Sequence, residues 1–316
     1  MTAGVLTIGE GIGVLRTHGI GTLALERELA VGTGGAEGNV AIGLARLGVP
    51  VTWLGRVGDD GLGTRVTREL RAEGVGVIAP VDPGAPTGLM LKEAPSPGRS
   101  VVTYHRSGSA GSRLSPDDLD VVDFHAFALV HVTGITPALS ASARACIDVA
   151  IERAREAGTA VSFDVNHRSR LWSADAALDT YREIARRSDI VFAGADEAAL
   201  LTGLPEDDVP ALAAATASLG PAEVVIKLGE RGAVALLDHR MTSRAAIQVA
   251  VVDTVGAGDA FVAGYLAERL RGASVEARLE LGIRTGAAAC AHPGDWEGFP
   301  TRRDLDRTVG SDPVSR

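Results

Sequence analysis

The stretch DTVGAGDAFVAGYL, Asp253 to Leu266, decides how the chain is read. An apolar-periodic run (Phe261, Val262, Tyr265, Leu266) predicts a helix, yet Gly256 and Gly258 stand where it should begin, and glycine is a poor helix former. Glycine there lets the backbone turn and be approached closely where a side chain would not. Successive backbone N–H groups in such a turn form a concavity for an anion, and the helix dipole adds about half a positive charge at that end. Asp259 then falls in the first turn, its carboxylate beside the anion site. A carboxylate is badly placed there to bind phosphate and well placed to accept the proton of a hydroxyl attacking phosphorus. A lone Gly-x-Gly-Asp also fits a helix start in which glycines permit tight packing. The flanking Asp253-Thr254 and Ala260-Phe261 sharpen the catalytic reading.

Upstream of this helix, strands and helices alternate. VLTIGE (5–10) reads as a strand, and AEGNVAIGLARLG (36–48) as a helix periodic in Val40, Ile42, Leu44 and Leu47 that stops at Gly48. VTWLGRVG (51–58) and GTRVTRELRAEG (63–74) repeat the pair. FALVHVTG, SASARACIDVAIERAREAG, AVSFDVN, DIVFAG, an Ala-rich helix at 212–219 and EVVIKLG continue it, and 260–291 is helix-rich. Such alternation predicts an α/β fold: a mainly parallel sheet with right-handed crossovers and helices on both faces. Two segments, 19–33 and 86–105, read instead as short strands with turns, EAPSPG (93–98) being one turn. They suit a small β-sheet lid inserted at about 14–33 and 86–106, which also offers a contact for a homo-oligomer. Ordinary surface hairpins fit the same residues. The expected organisation is one domain over 1–310 with a flexible tail at 311–316.

Composition narrows the partners. The 316 residues are 46% hydrophobic and 22% charged, as in an ordinary globular protein, and the net charge of −9 is spread along the chain. That argues against nucleic acid or an anionic membrane surface, though not against a small anion held by local arginines. MTAGVLTIGE lacks the basic start and apolar core of a signal peptide, and no run has the length of a membrane span, so a cytoplasmic location is expected. Cys146 and Cys290 sit in apolar, alanine-rich surroundings and read as small core hydrophobes. His131, in an apolar strand, reads as structural, and no spacing suggests a metal cluster.

DTVGAGDAF resembles the C-terminal signature of the ribokinase-like carbohydrate kinases of the phosphofructokinase-B type. GGAEGNVAIGLARLG (34–48) is similar to that family's N-terminal signature, more than 200 residues away and in the family's order. The lack of a Walker A sequence fits, since the family uses the glycine-rich helix start as its anion hole. The resemblance implies ATP and Mg²⁺ as cofactors, with Gly256, Ala257 and Gly258 stabilising the transferring phosphoryl group and Asp259 as general base. It brings IKLGERGA (226–233) to the nucleotide, with Lys227, Gly229 and Gly232 as contacts, although a plain strand-turn-strand hairpin explains those residues equally well. Asn166 and Asp253 join that side. Many relatives carry Asn-x-x-Glu for Mg²⁺ and phosphate; here Glu197 is kept but Gly194 replaces the Asn, leaving Glu197 to hold the metal through water.

Four features address the substrate. Tyr104 and Arg106, two apart on a strand, can face one side. Asn166 and Arg168 follow a strand's C-terminal end, where open α/β sheets bind ligands. HPGDWEGFP supplies Asp295, and after Glu10 the first strand offers no further acid for a sugar's hydroxyls. Two arginines on one pocket suit a carboxylate. The set is similar to the 2-keto-3-deoxygluconate kinase branch of the family, in which Gly34, Gly35, Asn39, Tyr104, Arg106, Arg168 and Asp295 would contact a sugar acid. Val165 and His167 depart from the Pro and Tyr frequent in that branch. Other sugars (ribose, fructose, 5-dehydro-2-deoxygluconate), a nucleoside, or a catalytically silent sugar sensor are the alternatives.

Overall fold

The computed structural model describes residues 4–96 and 99–307. The chain opens with β1 (Gly4–Ile8), β2 (Ile12–Arg16), β3 (Ala30–Gly34), α1 (Ala36–Arg46), β4 (Val51–Leu54) and β5 (Val57–Gly58). There follow α2 (Gly61–Ala72), β6 (Gly76–Ile78), β7 (Val81–Asp82), β8 (Gly88–Ser96), β9 (Arg99–His105) and β10 (Phe127–Thr133). Next come α3 (Ala141–Glu156), β11 (Ala160–Asp164), α4 (Ala174–Arg186), β12 (Ile190–Gly194), α5 (Ala195–Thr202) and α6 (Val209–Ala217). The last part holds β13 (Glu223–Lys227), β14 (Ala233–Leu237), β15 (Arg240–Arg244), α7 (Ala257–Leu270), α8 (Val275–Cys290) and α9 (Arg302–Arg307).

Nine strands form the main sheet in the order β15-β14-β13-β12-β11-β10-β1-β4-β6. Every pairing from β6 to β13 is parallel, and the antiparallel β14 and β15 close one edge. Val5, Leu6 and Ile8 of β1 are fully buried on both faces, the mark of a central parallel strand covered by helices on each side. One helical layer packs Ile147, Tyr181, Leu201 and Leu212 against the sheet; the other contributes Leu44, Leu70, Leu266 and Leu279. Polar caps start several helices: Asp60 accepts from Gly63 N–H at 2.7 Å before α2, and Ser140 from Ala143 N–H at 3.0 Å before α3. Helices α1 and α7 begin instead on glycines with no side-chain cap, Gly35 and Gly256.

The expected small sheet, termed the lid below, is present with four strands, β3-β2-β8-β9, with Ile12, Val14 and Met90 at its core and Val102 and Tyr104 packed beside them. Its boundaries differ from the sequence reading. Within 19–33 only the residues from Ala30 on belong to a strand; the preceding segment is bends, one turn at 23–25 and irregular chain, linked to β8 by a bridge between Gly21 and Ala94. β2 lies earlier, at 12–16, because the chain passes from β1 into the lid with only Gly9, Glu10 and Gly11 between. The tip of the EAPSPG turn, Pro97 and Gly98, and the tail at 311–316 lie outside the described residues. No helix among the described residues is long and apolar enough to cross a membrane.

In sequence order the strands step from β1 to one side (β4, β6) and then return to the other (β10 to β13). This puts a crevice at the carboxyl ends of β1 and β10, where open α/β sheets hold ligands. Glu10, Ile135, Asn166, Gly194 and Lys227 all follow or end neighbouring strands there, and the lid stands over them.

Candidate active site

A cavity of about 490 Å³ occupies this crevice, and most of the residues named from sequence line it: Gly35, Asn39, Tyr104, Arg106, Asn166 and Arg168, with Glu197, Lys227, Gly229, Gly256, Gly258, Asp259 and Asp295. A second, more apolar cavity of about 470 Å³ adjoins it, walled by Ile247, Val249, Phe261, Ile283 and Cys290 and including Gly232 and Ala257. Lys227, Gly229, Thr254 and Gly258 belong to both, so the two meet at the start of α7. Gly34 and Asp253 line neither. A Cβ on Gly34 would sit 2.5 Å from an Asp295 carboxylate oxygen, and the Asp253 carboxylate is engaged by Lys92.

The glycines at the start of α7 have separate reasons. Gly256 has φ +77°, and a Cβ there would lie 1.7 Å from the carbonyl oxygen of Asp295, so only glycine can let those two loops touch. A Cβ on Gly258 would meet nothing nearer than the Lys227 ammonium at 3.8 Å; here the glycine keeps open the space before the free N–H groups of the first turn.

Asp259 is buried, and its Oδ2 accepts from Asn39 Nδ2 at 2.8 Å, which ties α7 to α1. Burial pushes its carboxyl up to about 6, and repulsion from Asp164 adds to the rise, while Asn39, Arg168 and Lys227 oppose it. A carboxylate with that acidity is ionised at neutral pH and basic enough to take a hydroxyl proton. Lys227 Nζ donates to both carboxylate oxygens of Asp164 at 2.7 Å. Burial works against the ammonium, but Asp164, Glu197 and Asp259 outweigh it and keep Lys227 charged.

Glu197 has both oxygens engaged by backbone, accepting from His167 N–H at 2.7 Å and from Gly194 N–H at 2.6 Å. Burial raises its carboxyl above the ordinary range. Among the described residues no group of three or more His, Cys, Asp or Glu is arranged to hold a metal ion. Asn166 occupies a left-handed conformation, φ +41°, at the turn that follows β11.

The two arginines differ. Arg106 is neutralised in place: its guanidinium pairs with the buried Glu10 carboxylate, to which Ser109 also donates, and lies 5.4 Å from the centre of the Tyr104 ring. Arg168 makes only a 3.2 Å contact with the neighbouring His167 carbonyl, and no carboxylate among the described residues pairs with it. Glu10 is thus the partner of one cation of the set. Asp295 faces the same cavity, and burial lifts its carboxyl to about 7. Its Oδ1 has no hydrogen-bond partner.

Several contributors went unnamed in the sequence reading, Asp164, Lys92 and Glu37, and Glu10 was given no partner; Glu37 Oε1 accepts from Thr133 and Thr136 at 2.6 and 2.8 Å and fixes α1 to the end of β10. Acidic residues ending strands at the carboxyl edge of an α/β sheet were the available signal for Asp164 and Glu10. The cysteines are unpaired; Cys146 is buried, its thiol pushed up to about 12, whereas Cys290 borders the apolar cavity. His131 is fully buried against Ser162, and burial brings its acidity to about 4, a neutral structural side chain.

The sequence profile of the pfkB family carbohydrate kinases matches residues 8–302. The 2-dehydro-3-deoxygluconokinase of Bacillus subtilis is 37% identical over 96% of this chain and 95% of its own length. The 2-dehydro-3-deoxygalactonokinase of Haloferax volcanii is 34% identical, with 93% of each chain covered. Among solved structures, a PfkB protein from a Polaromonas species superposes with a TM-score of 0.87 at 33% identity, covering 96% of this chain and 99% of the other. Two adjoining cavities that meet at an uncapped glycine helix start, a buried carboxylate beside it, and this full-length likeness agree: the chain belongs to the pfkB family of carbohydrate kinases.

Proposed function

We propose that the protein transfers the γ-phosphoryl group of ATP to the terminal hydroxyl of 2-keto-3-deoxygluconate. The observation that carries the substrate reading is the Arg168 guanidinium, which has no salt-bridge partner among the described residues, in the cavity that holds Asp259. A neutral sugar gains little from such a cation, whereas a carboxylate matches its fork. Arg106, already balanced by Glu10, orients Tyr104 and donates without adding net charge. The names of the relatives in Bacillus subtilis and Haloferax volcanii, both acting on keto-deoxy sugar acids, point the same way.

The geometry suits in-line transfer. The apolar cavity takes the base and ribose, and the phosphates run past Lys227 and Gly229 to the first turn of α7. Asp259 accepts the proton of the attacking hydroxyl. The free N–H group of Gly258 and the Lys227 ammonium face the charge that develops on the phosphoryl oxygens. Mg²⁺, when bound with the nucleotide, neutralises phosphate charge. With Gly194 in place of the Asn of Asn-x-x-Glu, Glu197 is the side-chain donor left in that motif and would hold a hydrated ion through water.

A coupled ADP-release assay with Mg-ATP tests this on 2-keto-3-deoxygluconate, its galacto epimer, ribose, fructose and adenosine. Turnover confined to the keto-deoxy acids is the expected result. Turnover on a neutral sugar would keep Asp259 and overturn the role of Arg168, and silence with every compound would favour a sugar sensor.

A further inference from the structure

The lid sends one buried charge into the loops that frame the start of α7. Lys92 lies on β8 two residues beyond Met90, on the face that looks into the cavity, and its side chain is 6% exposed. Its ammonium pairs with Asp253 and stands 3.9 Å from Asp295 Oδ1. The Asp253 carboxylate in turn accepts from Val255 N–H at 3.2 Å and Gly294 N–H at 3.4 Å. One ammonium therefore joins β8 to the turn before α7 and to the 292–298 loop. Those two loops are pressed together at Gly256 and the Asp295 carbonyl, and Trp296 Nε1 donates to the lid at Thr33 O at 3.0 Å. On the other side, β8 carries the sugar-facing strand, with Met90 opposite Tyr104 and Lys92 opposite Val102.

Stability alone does not call for this arrangement. A buried ion pair returns little over apolar side chains of the same volume, because both charges must leave water. What it supplies is direction: a methionine would fill the space without fixing two separate loops to one atom of the lid.

We propose that Lys92 is a positioning residue for phosphoryl transfer, holding the first turn of α7 and Asp295 in register with a sugar bound beneath the lid. This rests on the kinase reading above. The phosphate cradle is then set by the lid strand that also shapes the sugar pocket. Lys92 is also the cation that restrains Asp295: burial raises that carboxyl, Glu297 on its own loop, Asp259 on α7 and Asp253 before α7 raise it further, and Lys92 on β8 lowers it.

The test compares Lys92→Met and Lys92→Arg with the wild type, using whichever panel sugar the wild type turns over, so a wrong sugar assignment leaves the comparison intact. Lys92→Met should lower kcat at least ~30-fold, as expected of a misplaced reacting group, with both KM values within about threefold. The acid limb of its kcat/KM profile should move to higher pH as Asp295 loses its cation. Lys92→Arg should restore the limb and bring kcat to within about fivefold of wild type, because charge and reach are kept. A folded Lys92→Met with wild-type kcat and an unmoved limb overturns the proposal. Should that variant fail to fold, amide hydrogen exchange on the wild type decides. The sugar without nucleotide should slow exchange at 254–258 about fivefold or more, and unchanged exchange there refutes the coupling.

Discussion

Asp259→Asn should move activity and stability in opposite directions. The substitution keeps the shape of the side chain, and the Asn amide oxygen can still accept from Asn39, so the α1 to α7 link at 2.8 Å survives. What disappears is a buried negative charge. Burial lifts the carboxyl from 3.8 to about 6, so the folded protein holds this proton more tightly than the unfolded chain. Raising the pH through that window therefore costs stability. Nothing is lost below the unfolded value near 4, and above about 6 the loss is complete, at roughly 3 kcal/mol for a shift of about two units. Asn carries no such penalty. At pH 8 the variant should be the more stable by about 2–3 kcal/mol, or roughly 3–5 °C in Tm, and the two proteins should converge near pH 4. Its kcat should fall by ~10²–10⁴, the usual contribution of a positioned base. Calorimetry at pH 4 and 8 and the ADP-release assay read both effects. A variant that melts at or below wild type at pH 8 would refute the burial argument. Turnover within tenfold of wild type would remove Asp259 as the base.

The arginines should part company under substitution. Arg168→Ala should raise KM for the sugar acid by roughly 30- to 100-fold, the value of a lost charge-assisted pair, with Tm nearly unchanged because the side chain has no ion-pair partner. Arg106→Ala leaves the buried Glu10 uncompensated and should cost about 3–5 kcal/mol of stability by thermal melting, besides its effect on KM. Equal Tm values for the two variants would contradict the difference drawn between them. Gly256→Ala must place a Cβ against the Asp295 carbonyl at positive φ; a loss of more than ~2 kcal/mol is expected, with kcat falling as the α7 turn shifts, and a wild-type melting curve would show that the turn relaxes freely.

What could be read beforehand follows from which interactions are local. Buried parallel strands are continuous apolar runs and helices stop at glycines, so the α/β alternation and the glycine helix start were visible. The helix at 174–186 carried its own signal, a Ser173 cap with Ala177, Tyr181 and Ile184 at helical spacing, and went unread between two stronger strands. The turns at 17–29 resisted because short apolar and polar residues alternate there without a sheet partner along most of their length. The site was legible as a set of residues and illegible as a set of pairs. Asn39 finds Asp259 across 220 positions, Lys92 finds Asp253 across 161, Arg106 finds Glu10 across 96 and Lys227 finds Asp164 across 63. Spacing along the chain says nothing about such partners; the crossover topology makes them neighbours. That matters most for function. In the sequence Arg106 and Arg168 are two equal claims on a carboxylate, and Glu10 is simply the last acid of the first strand. Once Glu10 is folded against Arg106, Arg168 is left as the arginine of the two with no salt-bridge partner among the described residues. A guanidinium fork with no carboxylate paired to it suits the carboxylate of a keto-deoxy sugar acid.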